Sequence, residues 1–287
     1  MVQTAIAASV GLRCYGLTSP RQDGKVSVHL HDIGNFYYEW DVESLPWDAS
    51  IPLSIGEVHP ENLDSKLVDA LTNGPLAQLT DDVSNAKAAS LAFLYLYMSL
   101  AVEGSRYAVR FVSILVLKHI SRPAINFTAR STLPVGAGLG SSASFSSCAA
   151  IALLLVYKRV RVPSLPAPST EAGHIHVSHQ GRRAITPDIA EEVNRWAFVA
   201  EKILHGNPSG VDNSVAVFGG ALAYTRPGFN RKSGMEIIQG YVPGPLLEDL
   251  TSSSSFKSLR FLLTNTKIPR DTKKLVAGVG QKKIEVG

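Results

Sequence analysis

Strict alternation marks the first clear element of the chain. In "GKVSVHLHDIG", Val26, Val28 and Leu30 alternate with Lys25, Ser27 and His29, the two-residue period of a half-buried strand. The apolar stretch "AIAASVGLRCYG" ahead of it predicts a partner strand, with "SPRQDG" as the turn of a β-hairpin. Residues 45–82 scatter Pro, Asn and Gly over a weak helical pattern, and "DVSNAKAASLAFLYLYMSLAV" then predicts a buried helix. In "AINFTARSTLP", Ile125, Phe127 and Ala129 alternate with Asn126, Thr128 and Arg130. This strand ends at Pro134 and delivers the chain into "GAGLGSSAS".

Between Val160 and Pro187 the period vanishes, and a segment rich in Pro, Ser and His predicts an exposed insertion. Its His174, His176 and His179 have no Cys or carboxylate at a matching spacing, which favours a surface loop over a metal site. "TPDIAEEVNRWAFVAEKILHG" carries full helix punctuation: Thr186 as N-cap, Pro187 in the first turn, early acids and a closing Gly206. "SVAVFGGALAYTR" reads as a pair of strands, "TSSSSFKS" as a loop or domain joint, and "LRFLLTNT" as a further strand.

Composition narrows the class. The 287 residues are 45% hydrophobic and 18% charged, enough for one large domain or two smaller ones. The apolar stretches Leu91 to Val102 and Cys148 to Val156 stop short of the roughly 18–20 residues of a membrane span, so none is predicted. "MVQTAIAASVGLRCYG" lacks the features of a secretory signal, which makes the cytoplasm the expected compartment. Cys14 and Cys148 form neither a disulfide framework nor a CxxC pattern and are expected to be reduced, packed thiols. The net charge is +4, but the 28 Lys and Arg are dispersed, which favours a small anionic ligand over nucleic acid. The basic stretch at 266–283 reads as a solvated helix face.

The candidate chemistry lies in two stretches. In "GAGLGSSAS", Gly136, Gly138 and Gly140 free the backbone to approach a ligand, and a helix beginning near Ser141 aims its first N–H groups at the same place. These are the requirements for phosphate. The spacing fits neither the Walker pattern, which needs a lysine, nor the Rossmann fingerprint, nor the GxSxG elbow of hydrolases. A glycine turn that merely lets strand and helix pack is the alternative. In "EKILHGNPSGVDN", Glu201 sits near a helix end, and Gly206, Pro208 and Gly210 turn the chain so that Asp212 returns towards it. Two such carboxylates can serve a divalent cation and a proton acceptor, and Ser142 can add a hydroxyl ligand. Taken singly, Asp212 reads as an ordinary turn or cap residue and Glu201 as an ordinary surface acid, and it is their joint occurrence with the glycine loop that favours the chemical reading.

"PVGAGLGSSAS" and "EKILHGNPSGVDNSVAVFGGAL" closely resemble the second motif and the catalytic segment of the GHMP small-molecule kinases. "LLTNTKIPRDTKKLVAGV" looks like the branch of that family that acts on mevalonate, and "VSHQGRRAITPDIAEEVNRWAFVAEK" is similar to its fungal members. The likeness runs from about Thr4 to Gly280. It implies an α+β fold: an N-terminal S5 domain 2-like ATP-binding domain over 1–228, then an incomplete ferredoxin-like domain over 229–287. It further implies ATP on Gly136, Ala137, Gly138, Leu139, Gly140, Ser141 and Ser142, with Ser131 and Asp32 nearby. Ser142 and Glu201 would hold Mg²⁺, Asp212 would be catalytic, and Thr272 would line the mevalonate pocket. Mevalonate is then the small-molecule partner, no nucleic acid or membrane is involved, and a homodimer is common in the family. The family's opening "GKxILxGEHAVVxG" motif has no counterpart ahead of "TAIAAS", nor has its C-terminal glycine-rich motif after Gly220. The resemblance therefore implies a chain shortened at both ends.

Overall fold

The computed structural model describes residues 4–49, 63–80, 83–109, 122–161, 185–219 and 221–225. Among them are six strands: β1 (Thr4–Ala8), β2 (Cys14–Pro20), β3 (Lys25–Leu30), β4 (Phe36–Asp41), β5 (Ile125–Ser131) and β6 (Ala221–Thr225). Five α-helices accompany them: α1 (Ser65–Asn73), α2 (Ser84–Val109), α3 (Ser141–Val156), α4 (Pro187–His205) and α5 (Val211–Phe218). The mixture is the α+β class that the sequence predicts.

The main sheet has the order β2-β5-β3-β4, with β5 antiparallel to β2 and parallel to β3. The predicted hairpin between the strands flanking "SPRQDG" therefore does not form. The chain does reverse there, with Gly24 at φ 72°, but β5 lies between β2 and β3. The apolar faces explain the choice. β5 buries Ile125, Phe127 and Ala129 alongside Val26, Val28 and Leu30 of β3, whereas β2 leaves Tyr15 59% and Leu17 66% exposed. The interior position goes to the strand with the more apolar face, and β2 takes the edge. The hairpin that does form joins β3 to β4 through His31–Asn35, where Gly34 and Asn35 adopt φ of 63° and 51°. "AIAASVGLRCYG" is likewise divided, because β1 leaves the main sheet and pairs antiparallel with β6.

A second difference concerns "SVAVFGGALAYTR". Only its end is a strand, β6, while Ser214 to Phe218 belong to α5. Val211 and Val215, one turn apart, are the apolar residues that bury, and glycines at φ 83° (Gly210) and 73° (Gly219) bracket the helix. α4 matches its predicted limits, with Thr186 at the N-cap, Pro187 at its start and Gly206 at the C-cap. Within the weakly helical stretch 45–82, α1 is capped by Asp64, whose carboxylate accepts from the N–H groups of Lys66 and Leu67.

The core lies between the main sheet and the helices. Phe127 stacks on Phe93 of α2 at 4.9 Å between ring centroids and meets Phe145 of α3 edge-on at 6.2 Å. α3 is buried on several sides through Ala143, Phe145, Ala149, Ala150, Leu153 and Leu154, packed on β2, β5, α2, α4 and α5. Each large apolar side chain so buried contributes about 1.5–3 kcal/mol. The result is a central helix whose first turns are packed through Ala143 and Phe145. Cys14 and Cys148 are free thiols packed against this core. No helix among the described residues is long and apolar enough to cross a membrane. The histidine-rich insertion, "TSSSSFKS", "LRFLLTNT", the basic stretch at 266–283, Thr272 and the unit expected from 229 lie outside the described residues.

Candidate active site

The glycine loop has the geometry its composition predicts. Gly136, Gly138 and Gly140 adopt φ of 72°, 75° and 69°, in the left-handed region where a side chain is strained. Gly140 is the N-cap of α3, and no side chain caps that helix. Its first N–H groups are therefore left to a ligand or water. At Gly138 nothing lies within 4 Å of where a Cβ would sit, so the loop opens to solvent on that side. A Cβ on Gly140 would meet only the Cβ of Asp212, at 4.0 Å.

The approach to the loop is clamped from the parallel strand. Ser131, the last residue of β5, donates its backbone N–H to Oδ2 of Asp32 in the β3–β4 turn at 2.5 Å. Its own hydroxyl accepts from the N–H of Leu133 at 3.0 Å. Parallel pairing of β3 and β5 brings these two residues, 99 positions apart, to one end of the sheet.

The other wall is built from α4 and α5. Glu201, near the end of α4, is only 3% exposed. Its Oε1 accepts from the Ser146 hydroxyl at 3.0 Å, and Oε2 lies 3.4 Å from the Ser142 hydroxyl. Nε2 of His205 is 2.9 Å from that same Ser142 oxygen and 3.8 Å from Oε2 of Glu201. Burial, with the negative charge of Asp212 adding to it, pushes the Glu201 carboxyl up to about 7 against the opposing hydroxyl hydrogen bonds. Asp212 itself is exposed in the first turn of α5. Asn213 donates to Oδ1 of Asn194 at 2.7 Å, and the Ser214 hydroxyl donates to the Gly210 carbonyl at 2.7 Å. The first bond fixes the start of α5 against α4, the second closes the first turn of α5 itself, and Asp212 is held with them.

The structure thus brings Gly140, Ser142, Glu201 and Asp212 to one corner, with Ser141 opening α3 and Gly136, Ala137, Gly138 and Leu139 forming the loop before it. Asp32 and Ser131 meet each other at the loop's entrance. Ser146 and His205 are the members that motif reading missed. Each sits four residues after a predicted ligand, Ser142 and Glu201, and that spacing places both on the ligand's own helical face. The donors suit Mg²⁺. They are hard oxygens, and a buried carboxylate pushed towards neutrality is one that a cation would restore to its charged form. No cluster of three His, Cys, Asp or Glu side chains that could hold a metal ion occurs among the described residues.

Comparison with known proteins bears on the same segments. The model of the GHMP kinases N terminal domain matches residues 106–176, which include β5, the glycine loop and α3. Mevalonate kinase of Candida albicans is 33% identical over 279 residues, covering 96% of this chain and 55% of that protein. Those of Mus musculus and Homo sapiens are 36% and 35% identical, each covering 96% of this chain and 57% of the relative. The chain therefore spans little more than half the length of the curated relatives it matches. The crystal structure of the Methanococcus jannaschii mevalonate kinase superposes with a TM-score of 0.43 at 14% identity over 79% of this chain and 49% of that one, a likeness too loose to argue from. The glycine loop, the helix it opens and the alignment along almost the whole sequence agree: the chain is a GHMP kinase homologue, related to the mevalonate kinases over 96% of its length.

Proposed function

We propose that this chain forms the ATP-binding part of a mevalonate kinase, which transfers the γ-phosphoryl group of ATP to the C5 hydroxyl of (R)-mevalonate with Mg²⁺. The setting would be cytoplasmic isoprenoid and sterol synthesis. The observation that carries the reading is the convergence of an uncapped, glycine-opened helix N-terminus with Glu201 and Asp212 in a homologue of these kinases.

The division of labour follows from charge. Phosphoryl transfer asks the protein for positioning and charge neutralisation more than for covalent help. The N–H groups at the start of α3 would bind the phosphate oxygens, and the positive φ of Gly136, Gly138 and Gly140 lets the backbone come close. Ser142 and Glu201 would hold Mg²⁺, which when bound neutralises the β- and γ-phosphates. Asp32 would keep the loop entrance fixed through the Ser131 N–H. Asp212, exposed and facing Gly140, would orient the C5 hydroxyl and accept its proton. Thr272, in a second unit beginning near 229, would complete the mevalonate pocket.

The test is direct. ADP release with ATP, Mg²⁺ and (R)-mevalonate is measured on the 287-residue chain, and in parallel on the chain extended by the segments its relatives carry beyond the aligned stretch. Mevalonate-dependent turnover that Asp212→Asn removes is the expected result. Preferred turnover of phosphomevalonate or galactose would replace the substrate, and nucleotide binding without turnover in either form would leave a non-catalytic nucleotide-binding protein.

A further inference from the structure

The sequence contains two cysteines, 134 positions apart, and the fold brings their side chains into hydrogen-bonding contact. Cys14 opens the edge strand β2, and its backbone partner in β5 is Ser131, the residue from which the chain enters the glycine loop. Cys148 lies two turns into α3, the helix that the same loop opens. A Cβ on Gly16 would come within 2.5 Å of the Cys148 sulfur. The glycine therefore leaves the space in which that sulfur sits, against β2 and on the side of Cys14. Both thiols are partly buried against the core and neither is fully closed to solvent, and Cys14 stands on the edge strand of the sheet.

We propose that Cys14 and Cys148 form a redox-active thiol pair that closes to an intramolecular disulfide on reaction with a hydroperoxide, joining the edge strand to the helix that carries the phosphate loop. Cys14 is the attacking sulfur. The hydrogen bond from Cys148 holds its thiol below the usual range, against the opposing effects of burial and Asp32. The Cys148 thiol is pushed up by the same contact and by burial. The Cys14 thiolate displaces hydroxide from the peroxide O–O bond and becomes a sulfenic acid. The Cys148 sulfur then attacks the sulfenic sulfur, the S–S bond forms, and the sulfenic oxygen leaves as water with the Cys148 proton. Two thiols lose two electrons and two protons in all, and one hydrogen peroxide becomes two waters. The pair stands apart from the kinase reading and would hold with a different phosphoryl acceptor.

The experiment uses the reduced 287-residue chain and stoichiometric hydrogen peroxide at neutral pH, followed by quenching with N-ethylmaleimide. Intact mass and non-reducing peptide mapping are the readouts. The expected product has lost two hydrogens, takes up no maleimide, yields one peptide pair joining Cys14 to Cys148, and returns to the thiol form with dithiothreitol. Cys148→Ser should instead leave a dimedone-reactive sulfenic acid at Cys14, and Gly16→Ala should slow closure several-fold by displacing the Cys148 sulfur. Full maleimide labelling after peroxide treatment, oxygen added to either sulfur without a cross-link, or a disulfide between two chains would each overturn the proposal.

Discussion

Two glutamates in this molecule have opposite fates. Glu39, on the outer face of the sheet, accepts from Lys25, from the Tyr37 hydroxyl at 2.8 Å and from Arg21 at 2.9 Å. These partners, Lys25 first, hold its carboxyl down to about 2. Glu201 is buried, receives only neutral hydroxyls at short range, and rises to about 7. The sheet face satisfies its charges and so serves the fold. The corner between α3, α4 and α5 leaves a carboxylate short of positive charge, and that deficit is what a cation can fill. Their pH signatures also differ in sign. Glu39 contributes stability above its ordinary value of 4.5 that is lost as pH falls towards 2, whereas Glu201 lowers stability as pH rises from 4.5 through about 7.

Substitutions can break this contrast at either end. Asp212→Asn should have the largest effect, a loss of about 10²–10⁴-fold in kcat by steady-state assay with nucleotide affinity retained. An unchanged kcat would remove Asp212 from the chemistry. Next comes Glu201→Gln, which should stabilise the chain by up to about 3 kcal/mol above pH 7 while weakening Mg²⁺-dependent nucleotide binding. Urea unfolding at several pH values reads the first effect and calorimetric titration the second, and a destabilised variant would show that the carboxylate serves the fold after all. Gly138→Ala should cost about 1–2 kcal/mol for a side chain at φ 75° and should also reduce nucleotide affinity, because the open side of the loop is filled. Thermal melts with and without ATP separate the two contributions. Glu39→Gln should give the smallest effect on the site: a lower Tm at neutral pH, shrinking as the pH approaches 2, with nucleotide affinity unchanged.

The parts of the molecule that local rules govern were legible in the sequence. Thr186, Pro187 and Gly206 punctuate α4 because capping depends on neighbouring residues alone, and the positive φ of the loop glycines follows from their missing side chains. Strand pairing was not legible, since the place of β5 between β2 and β3 is decided by apolar faces more than 90 residues apart. Ser214 to Phe218 of α5 read as a strand because Val215 and Val217 alternate, and only the burial of Val211 with Val215 reveals the helical period. At the site, the identities of Ser142, Glu201 and Asp212 came from motif spacing. The protonation of Glu201 did not, because it depends on how many groups pack around the carboxylate.

The insertion of β5 between β2 and β3 also sets a timetable. The β3–β4 hairpin closes within its first 41 residues, but β2 has no backbone partner in the main sheet until residue 131 has been made. At ribosomal rates of about 5–20 residues per second, those ~100 residues leave β2 unpaired and one edge of β3 open for roughly 5–20 s. During synthesis the nascent chain therefore presents an open, sticky sheet edge, and it is in that interval, before the phosphate loop exists, that chaperones would matter most to this protein.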